Sequence, residues 1–113
     1  MSRADDERID DIVEAASAIA AVVADGREAW ETDRVRQLAV ERLLEIIGES
    51  ARAMTDGGRA EYPEAPWSDV IGLRTVLAHH YHRVDPDQVW TIATKDVPAL
   101  LDRLGTRRSR DDG

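Results

Sequence analysis

Apolar residues recur at three- and four-residue spacing along most of this chain, which is the period of an amphipathic α-helix. The first such stretch covers about residues 4–24 and ends at Asp25-Gly26, because glycine readily takes the left-handed backbone that closes a helix. A second covers about residues 34–54, with Asp33 as its N-terminal cap. The inward stripe of this second helix is predicted to be Val35, Leu38, Ala39, Leu43, Ile46, Ile47, Ser50 and Met54.

The second half of the chain predicts two further helices. One begins at Pro66 or Trp67, where proline suits the first turn, and runs to about Arg83. The other begins at Pro86, with Asp85 as its N-terminal cap. It is predicted to be interrupted or kinked before Pro98 and then to resume. The pattern therefore predicts an all-α protein, an up-and-down bundle of four to five helices, with residues 1–104 as a single domain and residues 105–113 as a flexible tail.

Some residues are predicted to serve packing rather than chemistry. Gly48 lies inside the second helix, where glycine costs about 1 kcal/mol relative to alanine, so a close helix crossing is expected there. Trp30, in a predicted short linker, and Trp67 and Trp90 are also predicted to pack against the bundle.

Composition and charge narrow the class of protein. There is no cysteine, which excludes disulfides and thiolate metal sites, and no apolar run of about 18 residues, which argues against a membrane span. The N-terminus lacks the features of a signal peptide, so a cytoplasmic location is predicted. The formal net charge is −8, of which residues 1–33 contribute −7. A broad basic surface is thereby excluded, whereas a local cationic cleft elsewhere in the chain is not.

The candidate chemistry is concentrated in residues 72–82, which hold all three histidines, His79, His80 and His82, and one of the two tyrosines, Tyr81. On a helical wheel Arg74 falls at the margin of the apolar stripe that includes Val70, Leu73, Leu77, Tyr81 and Val84. An arginine beside a core face needs an acceptor. Arg74 therefore pairs either with a scaffold acid, such as Glu45 or Glu49, or with a ligand in a cleft.

Three chemistries can be compared for this stretch. Adjacent histidines on a helix do not chelate one ion easily, which argues against a metal site, and no serine lies in the context of a hydrolase nucleophile. Histidine with arginine suits RNA, since imidazole can take a proton from a ribose 2′-hydroxyl while guanidinium stabilises charge at phosphorus. His79 lies about 140° from Arg74 on an ideal helix, so a distorted helix end or a second subunit would have to bring them together.

The spacing Arg74-x4-His79-x-Tyr81 resembles the signature of the HEPN ribonucleases, and specifically of the HepT toxins of toxin–antitoxin systems. Further blocks are similar to that family in order and spacing. They are Leu44-Glu45-Ile46-Ile47-Gly48-Glu49-Ser50, Tyr62-Pro63-Glu64-x-Pro66-Trp67, Ile71-Gly72-Leu73-Arg74, and Tyr81-His82-x-Val84-Asp85 with Val89-Trp90.

The resemblance implies an all-helical homodimer that cleaves RNA at a shared cleft and needs no metal or other cofactor. It assigns His79 as the catalytic base, Arg74 as the phosphate-stabilising cation and Tyr81 as an active-site residue. It also implies a minimal nucleotidyltransferase antitoxin as partner, which transfers AMP to Tyr81. Thr75 departs from the family, in which a polar Asn is common, and is expected to support the site less effectively. The alternative hypothesis is a non-catalytic helical dimer that binds the nucleotidyltransferase.

Overall fold

The chain forms a bundle of helices in the computed structural model, which describes the backbone of residues 2–78 and 85–112 and the side chains of residues 2–77 and 85–105. Within these residues there is no β-strand, which confirms the all-α prediction. In chain order the helices are α1 (Arg3–Val23), α2 (Arg27–Glu31), α3 (Arg34–Ala53), α4 (Asp56–Ala60), α5 (Trp67–Ala78), α6 (Pro86–Thr91) and α7 (Val97–Asp112), with a π-helical segment, Ile92–Asp96, joining α6 to α7.

The ends of the helices are set by local capping, as the sequence predicts. Gly26 has a φ of 98° after α1, a conformation that few other residues adopt. The Asp33 carboxylate accepts from the backbone N–H of Val35 at 2.9 Å, and the Asp85 carboxylate accepts from that of Asp87 at 3.0 Å. Each aspartate satisfies an N–H that the helix itself leaves unpaired, so these boundaries depend on neighbouring residues alone.

The core lies mainly between α1 and α3, while α5 packs against α3 and α7 packs against α1. The largest fully buried side chains come from these helices and from α6. They are Ile9, Ile12, Ile19, Val40, Leu44, Ile47, Val89 and Leu104. The four long helical units are α1, α3, α5 and the continuous run from α6 to α7, and they correspond to the predicted bundle. Homodimerisation stays a prediction.

Two details of the sequence-based prediction are wrong. The side chains of Val35 and Leu38 are 75% and 49% exposed, whereas the buried face of α3 includes Val40, Leu44 and Ala51. The reason is that α3 carries apolar residues on two sides, and periodicity alone does not tell which side meets α1. The stretch around Trp30 is the short helix α2 rather than a linker. Trp30 is nonetheless buried and packs against Trp90 with ring centroids 5.4 Å apart, so its packing role is confirmed.

The predicted interruption before Pro98 takes the form of the π-helical segment. Pro98 has no N–H and so cannot donate to the carbonyl of Thr94, four residues earlier. The helix widens instead, and the N–H of Val97 donates to the carbonyl of Ile92, five residues back. Beyond this point the helical backbone of α7 continues to Asp112, through the stretch for which the sequence predicts a flexible tail. The proposed domain limits stay a prediction.

Candidate functional site

Helix α5 carries the candidate site and is held at its start by hydrogen bonds. The Trp67 indole N–H donates to the backbone carbonyls of Arg59 at 2.9 Å and Tyr62 at 3.1 Å. Arg59 in turn donates to the carbonyls of Ala51 and Met54, which closes the C-terminal end of α3. The beginning of α5 is therefore tied to the end of α3 through α4. This confirms that Trp67 is a packing residue.

Gly48 lets the middle of α5 lie directly on α3. A Cβ atom at Gly48 would stand 3.3 Å from the Val70 carbonyl oxygen, 3.6 Å from the Arg74 backbone nitrogen and 3.7 Å from the Leu73 Cβ. The first distance is tighter than an ordinary contact, so a side chain at this position would push α5 away. The helix crossing predicted from this glycine is confirmed, and it sets the height of Arg74 above α3.

The side chain of Arg74 is exposed at the last turn of α5 that the structure describes. Within the described residues it makes no ion pair: Glu45 instead binds Arg42, with Arg42 Nη1 and Glu45 Oε2 3.1 Å apart. Glu49 is exposed and also does not pair with Arg74. The described structure therefore shows no ion pair between Arg74 and a scaffold acid, which was one of the two interpretations left open by the sequence. A free guanidinium on a rigid helix can bind a phosphate or a carboxylate from another molecule.

Of the three remaining predicted site residues, the structure describes Thr75 but not His79 or Tyr81. Thr75 follows Arg74 on α5 and is also exposed, so its hydroxyl is accessible. His79 and Tyr81 lie outside the described residues, as do His80 and His82. The backbone on either side is described, since α5 ends at Ala78 and Asp85 caps α6.

A groove of about 900 Å³ lies on another side of α5, between this helix and the run from α6 to α7. Apolar side chains from both walls form its floor. They are Val70, Leu73, Val76, Ile92, Val97 and Leu100. Arg74 is not among the described lining residues, although Val70, one turn before it on α5, is. The sequence-based prediction did not find this groove, although the unexplained mid-helix Gly72 was a signal of it.

The groove has an acidic rim. Its described charged residues are Asp69, Asp85, Asp87, Asp96 and Arg103. Arg27, which lies outside the groove, forms a salt bridge with Asp87. Asp69 and Asp96 are exposed and make no ion pair within the described part of the chain. The described residues of the rim therefore carry a net negative charge, which attracts cations and repels phosphate.

A buried carboxylate near the N-terminus is the clearest polar feature that the sequence-based prediction missed. Asp5, only 2% exposed, accepts from the Thr55 backbone N–H at 2.9 Å and from the Thr55 hydroxyl at 2.6 Å. These hydrogen bonds hold the pKa of Asp5 below its usual value, against the opposing effect of burial. A Cβ at Gly58 would lie 2.5 Å from the Asp5 Cγ, so this glycine leaves room for the carboxylate. The contact ties α1 to the start of α4.

The described residues contain no cluster of three or more histidine, cysteine, aspartate or glutamate side chains placed to hold a metal ion. None of the described helices is both long and apolar enough to cross a bilayer.

Comparison with known proteins assigns the family. A family model described as "Ribonuclease HepT-like" matches residues 8–106, which include α5, its crossing with α3 and the groove. The chain belongs to the HepT-like ribonuclease family. The resemblance based on Arg74, His79 and Tyr81 is thereby confirmed at the level of the family.

Two relatives show how far this HepT-like similarity extends. The protein named "Probable ribonuclease HepT" from Thermococcus cleftensis is 33% identical over 101 residues, which cover 88% of this chain and 92% of that protein. The protein named "Putative RNase MJ1380" from Methanocaldococcus jannaschii is 38% identical over 68 residues, which cover 60% of this chain and 62% of that protein. No solved structure matches the chain significantly.

Proposed function

We propose that this HepT-like chain is an endoribonuclease that cleaves RNA without a metal ion, at a cleft shared by two copies of the chain. Family membership and the names of the relatives, which call them ribonucleases, support the reaction class. The observation that carries the proposal is the exposed Arg74 guanidinium, free of ion pairs in the described structure and one helical turn before the last described residue of α5. His79 is the next residue in the sequence after the described part of α5.

The proposed reaction uses the 2′-hydroxyl of the RNA as nucleophile. His79 takes the hydroxyl proton as general base, and the 2′-oxygen bonds to the adjacent phosphorus. The bond from phosphorus to the 5′-oxygen of the next nucleotide breaks, and that oxygen takes up a proton. The products are a 2′,3′-cyclic phosphate and a 5′-hydroxyl. Arg74 stabilises the charge that develops on the phosphate oxygens, while Tyr81 and Thr75 position the phosphate.

Sharing the cleft between two copies resolves a geometric problem. Arg74 and His79 are about 140° apart on an ideal helix, so residues of one chain do not converge on a phosphate as neighbours at i and i+4 would. Two copies related by two-fold symmetry can place Arg74 of one beside His79 of the other. The same pairing would gather two arginines in one cleft and give an acidic protein a local cationic site for RNA.

The proposal includes regulation by a minimal nucleotidyltransferase antitoxin. The Tyr81 hydroxyl would attack the α-phosphorus of ATP bound to that enzyme, forming a phosphodiester to AMP, releasing pyrophosphate and losing its proton to solvent. The attached phosphate would then compete with RNA for Arg74, and the adenosine would block the cleft. The chain would thus act as the toxin of a toxin–antitoxin pair.

RNA cleavage in the presence of EDTA is the direct test. The wild-type protein should cut RNA and leave 2′,3′-cyclic phosphate ends, detected by mass spectrometry of the fragments. His79→Ala should abolish cleavage while circular dichroism stays unchanged. Undiminished cutting by that variant, or a requirement for added Mg²⁺, would overturn the mechanism.

The regulatory step is tested separately by co-expression with the nucleotidyltransferase. Mass spectrometry should find added AMP on the peptide that contains Tyr81, and Tyr81→Phe should stay unmodified. Modification confined to another residue would contradict the proposed switch.

A second candidate function is a non-catalytic dimer that binds the nucleotidyltransferase. The acidic N-terminal region and Thr75, in place of a more common Asn, favour it. If the wild-type protein expressed alone is harmless to cells and leaves RNA intact, this second function is correct.

A further inference from the structure

The groove between α5 and the run from α6 to α7 is large enough to accept part of another protein. Its volume of about 900 Å³ corresponds to about two turns of an α-helix, taken as a cylinder some 10 Å across. Its floor is apolar on both walls, from Leu73 and Val76 on α5 to Val97 and Leu100 on α7. A hydrophobic groove between two helices is a common way to bind a third, amphipathic helix.

Gly72 provides independent support for a bound segment. It lies in the middle of α5, where glycine costs about 1 kcal/mol relative to alanine. A Cβ at Gly48 would press on α5, whereas a Cβ at Gly72 would meet no atom of the described structure within 4 Å. The fold of the described residues thus has no use for this glycine. Because Gly72 lines the groove, its missing side chain leaves room there for the backbone of a bound segment.

The charges at the rim select among possible occupants. Asp69 and Asp96 are exposed and free of ion pairs in the described structure, and Asp85 adds a third carboxylate. Among the described lining residues these face one guanidinium, that of Arg103. RNA would bring phosphates to this rim and be repelled. A second copy docked through the same groove by two-fold symmetry would bring two acidic rims face to face, which is also unfavourable.

We propose that this groove is the docking site for a cationic amphipathic helix of a partner protein. Apolar side chains of that helix lie on the floor, with its backbone close to Gly72, and its lysines or arginines face Asp69 and Asp96. Docking leaves Arg74 accessible, because Arg74 is exposed and is not among the described lining residues of the groove. The groove requires no ribonuclease activity, so failure of either proposal leaves the other standing.

The test measures binding of synthetic peptides to the full chain by fluorescence anisotropy. The probe is a labelled peptide of about 16 residues, with leucines at helical spacing i, i+3, i+4 and i+7 and lysines elsewhere. One control peptide replaces every lysine by glutamate, and another has the same composition in an order without an apolar face. Only the first peptide should bind, and its affinity should fall as salt is raised.

Matched variants locate the binding. Gly72→Leu, which fills the groove, and Asp96→Lys, which reverses a rim charge, should each raise the Kd at least about tenfold, a size typical of residues central to an interface. Gly105→Leu and Asp11→Lys make the same changes at exposed or open positions outside the groove and should alter the Kd less than about twofold. Circular dichroism checks folding. If Gly72→Leu does not fold, Gly72→Ala replaces it and should still raise the Kd measurably.

Several results would overturn the proposal. They are equal binding of the glutamate or reordered peptide, an unchanged Kd in the folded groove variants, and equal weakening by Asp11→Lys. Loss of self-association in Gly72→Leu, seen by analytical ultracentrifugation without any peptide binding to the wild type, would show that the groove contacts a second copy. Loss of RNA binding in folded Gly72→Leu, without any peptide binding to the wild type, would assign the groove to RNA.

Discussion

Gly48 of α3 lies against the backbone of Arg74 on α5, so closely that a Cβ at Gly48 would stand 3.6 Å from the Arg74 nitrogen. The glycine therefore sets where the candidate catalytic cation sits. The position of the exposed guanidinium therefore depends on a buried residue of the neighbouring helix.

Replacing Gly48 should move α5. Its Cβ would already be 3.3 Å from the Val70 carbonyl oxygen, so Gly48→Leu should lower the free energy of unfolding by about 1–3 kcal/mol through overpacking. RNA cleavage should fall with it, because Arg74 is displaced. Urea denaturation and a cleavage assay measure the two effects. Gly72→Ala is the control, since a Cβ there meets open space and should stabilise the protein by about 0.5–1 kcal/mol. Wild-type stability in Gly48→Leu would contradict this account.

Removing the Arg74 guanidinium should affect activity and spare stability. The side chain is exposed and has no ion pair in the described structure, so Arg74→Ala should unfold at nearly the same urea concentration as the wild type. The rate of RNA cleavage should fall about 100-fold or more, as expected when a group that stabilises transition-state charge is lost.

Two further variants test the role of the Arg74 guanidinium in RNA cleavage. Arg74→Lys keeps the charge without the planar fork and should cleave at an intermediate rate. Arg52→Ala removes another exposed arginine, in the last turn of α3, and should cleave like the wild type. An equal loss in Arg74→Ala and Arg52→Ala would indicate general attraction of RNA rather than a role at the reacting phosphate.

Mixing two inactive variants tests whether the cleft is shared. In a dimer of one Arg74→Ala chain and one His79→Ala chain, one of the two Arg74–His79 pairs in the shared cleft would combine an intact Arg74 with an intact His79 from the other copy. After equal mixing and exchange of chains, cleavage should recover to about one quarter of the wild-type rate. Mass photometry of the mixture confirms exchange. No recovery in a fully exchanged mixture would mean that both groups act from the same chain.

The buried Asp5 carboxylate should make stability depend on pH. Hydrogen bonds from Thr55 lower its folded-state pKa, so the folded state favours the ionised form more strongly than the unfolded chain does. This contribution is complete above the unfolded pKa of about 3.9 and is lost as pH falls through the lower folded pKa. Asp5→Asn should therefore be less stable than the wild type at pH 7, and the difference should shrink in acid.

Denaturant titrations at pH 7 and below pH 4 measure this effect. Asp6→Asn is the matched control, because Asp6 is exposed in the same helical turn and should change stability only slightly at either pH. A constant difference between Asp5→Asn and the wild type across this range would show that the hydrogen bonds do not favour the charged form.

Features that depend on neighbouring residues could be predicted well from sequence. The caps at Asp33 and Asp85 depend on a side chain that lies two or three residues from the backbone N–H it binds. The turn at Gly26 depends on the φ of that one residue. The interruption before Pro98 is similarly local. A tertiary contact could also be predicted at Gly48, because a glycine inside a helix is costly enough to indicate that another helix lies against it.

The candidate site was predictable as a set of residues, whereas its surroundings were not. The spacing of Arg74, His79 and Tyr81 indicated the family, and the family model confirms that assignment. The same sequence left open whether Arg74 pairs with Glu45 or Glu49. Only the folded arrangement of α3 and α5 shows Glu45 bound to Arg42 and Arg74 without a scaffold partner among the described residues.

The helices, most of their ends and the family could be predicted, because each depends on short-range spacing along the chain. Three features emerge only from the folded arrangement: α3 buries the Val40 side and exposes Val35, Asp5 reaches Thr55, and an acidic groove lies beside Gly72. Those outcomes depend on which surfaces of distant segments meet. A helical period reports the faces of a single element and carries no information about the element that packs against it.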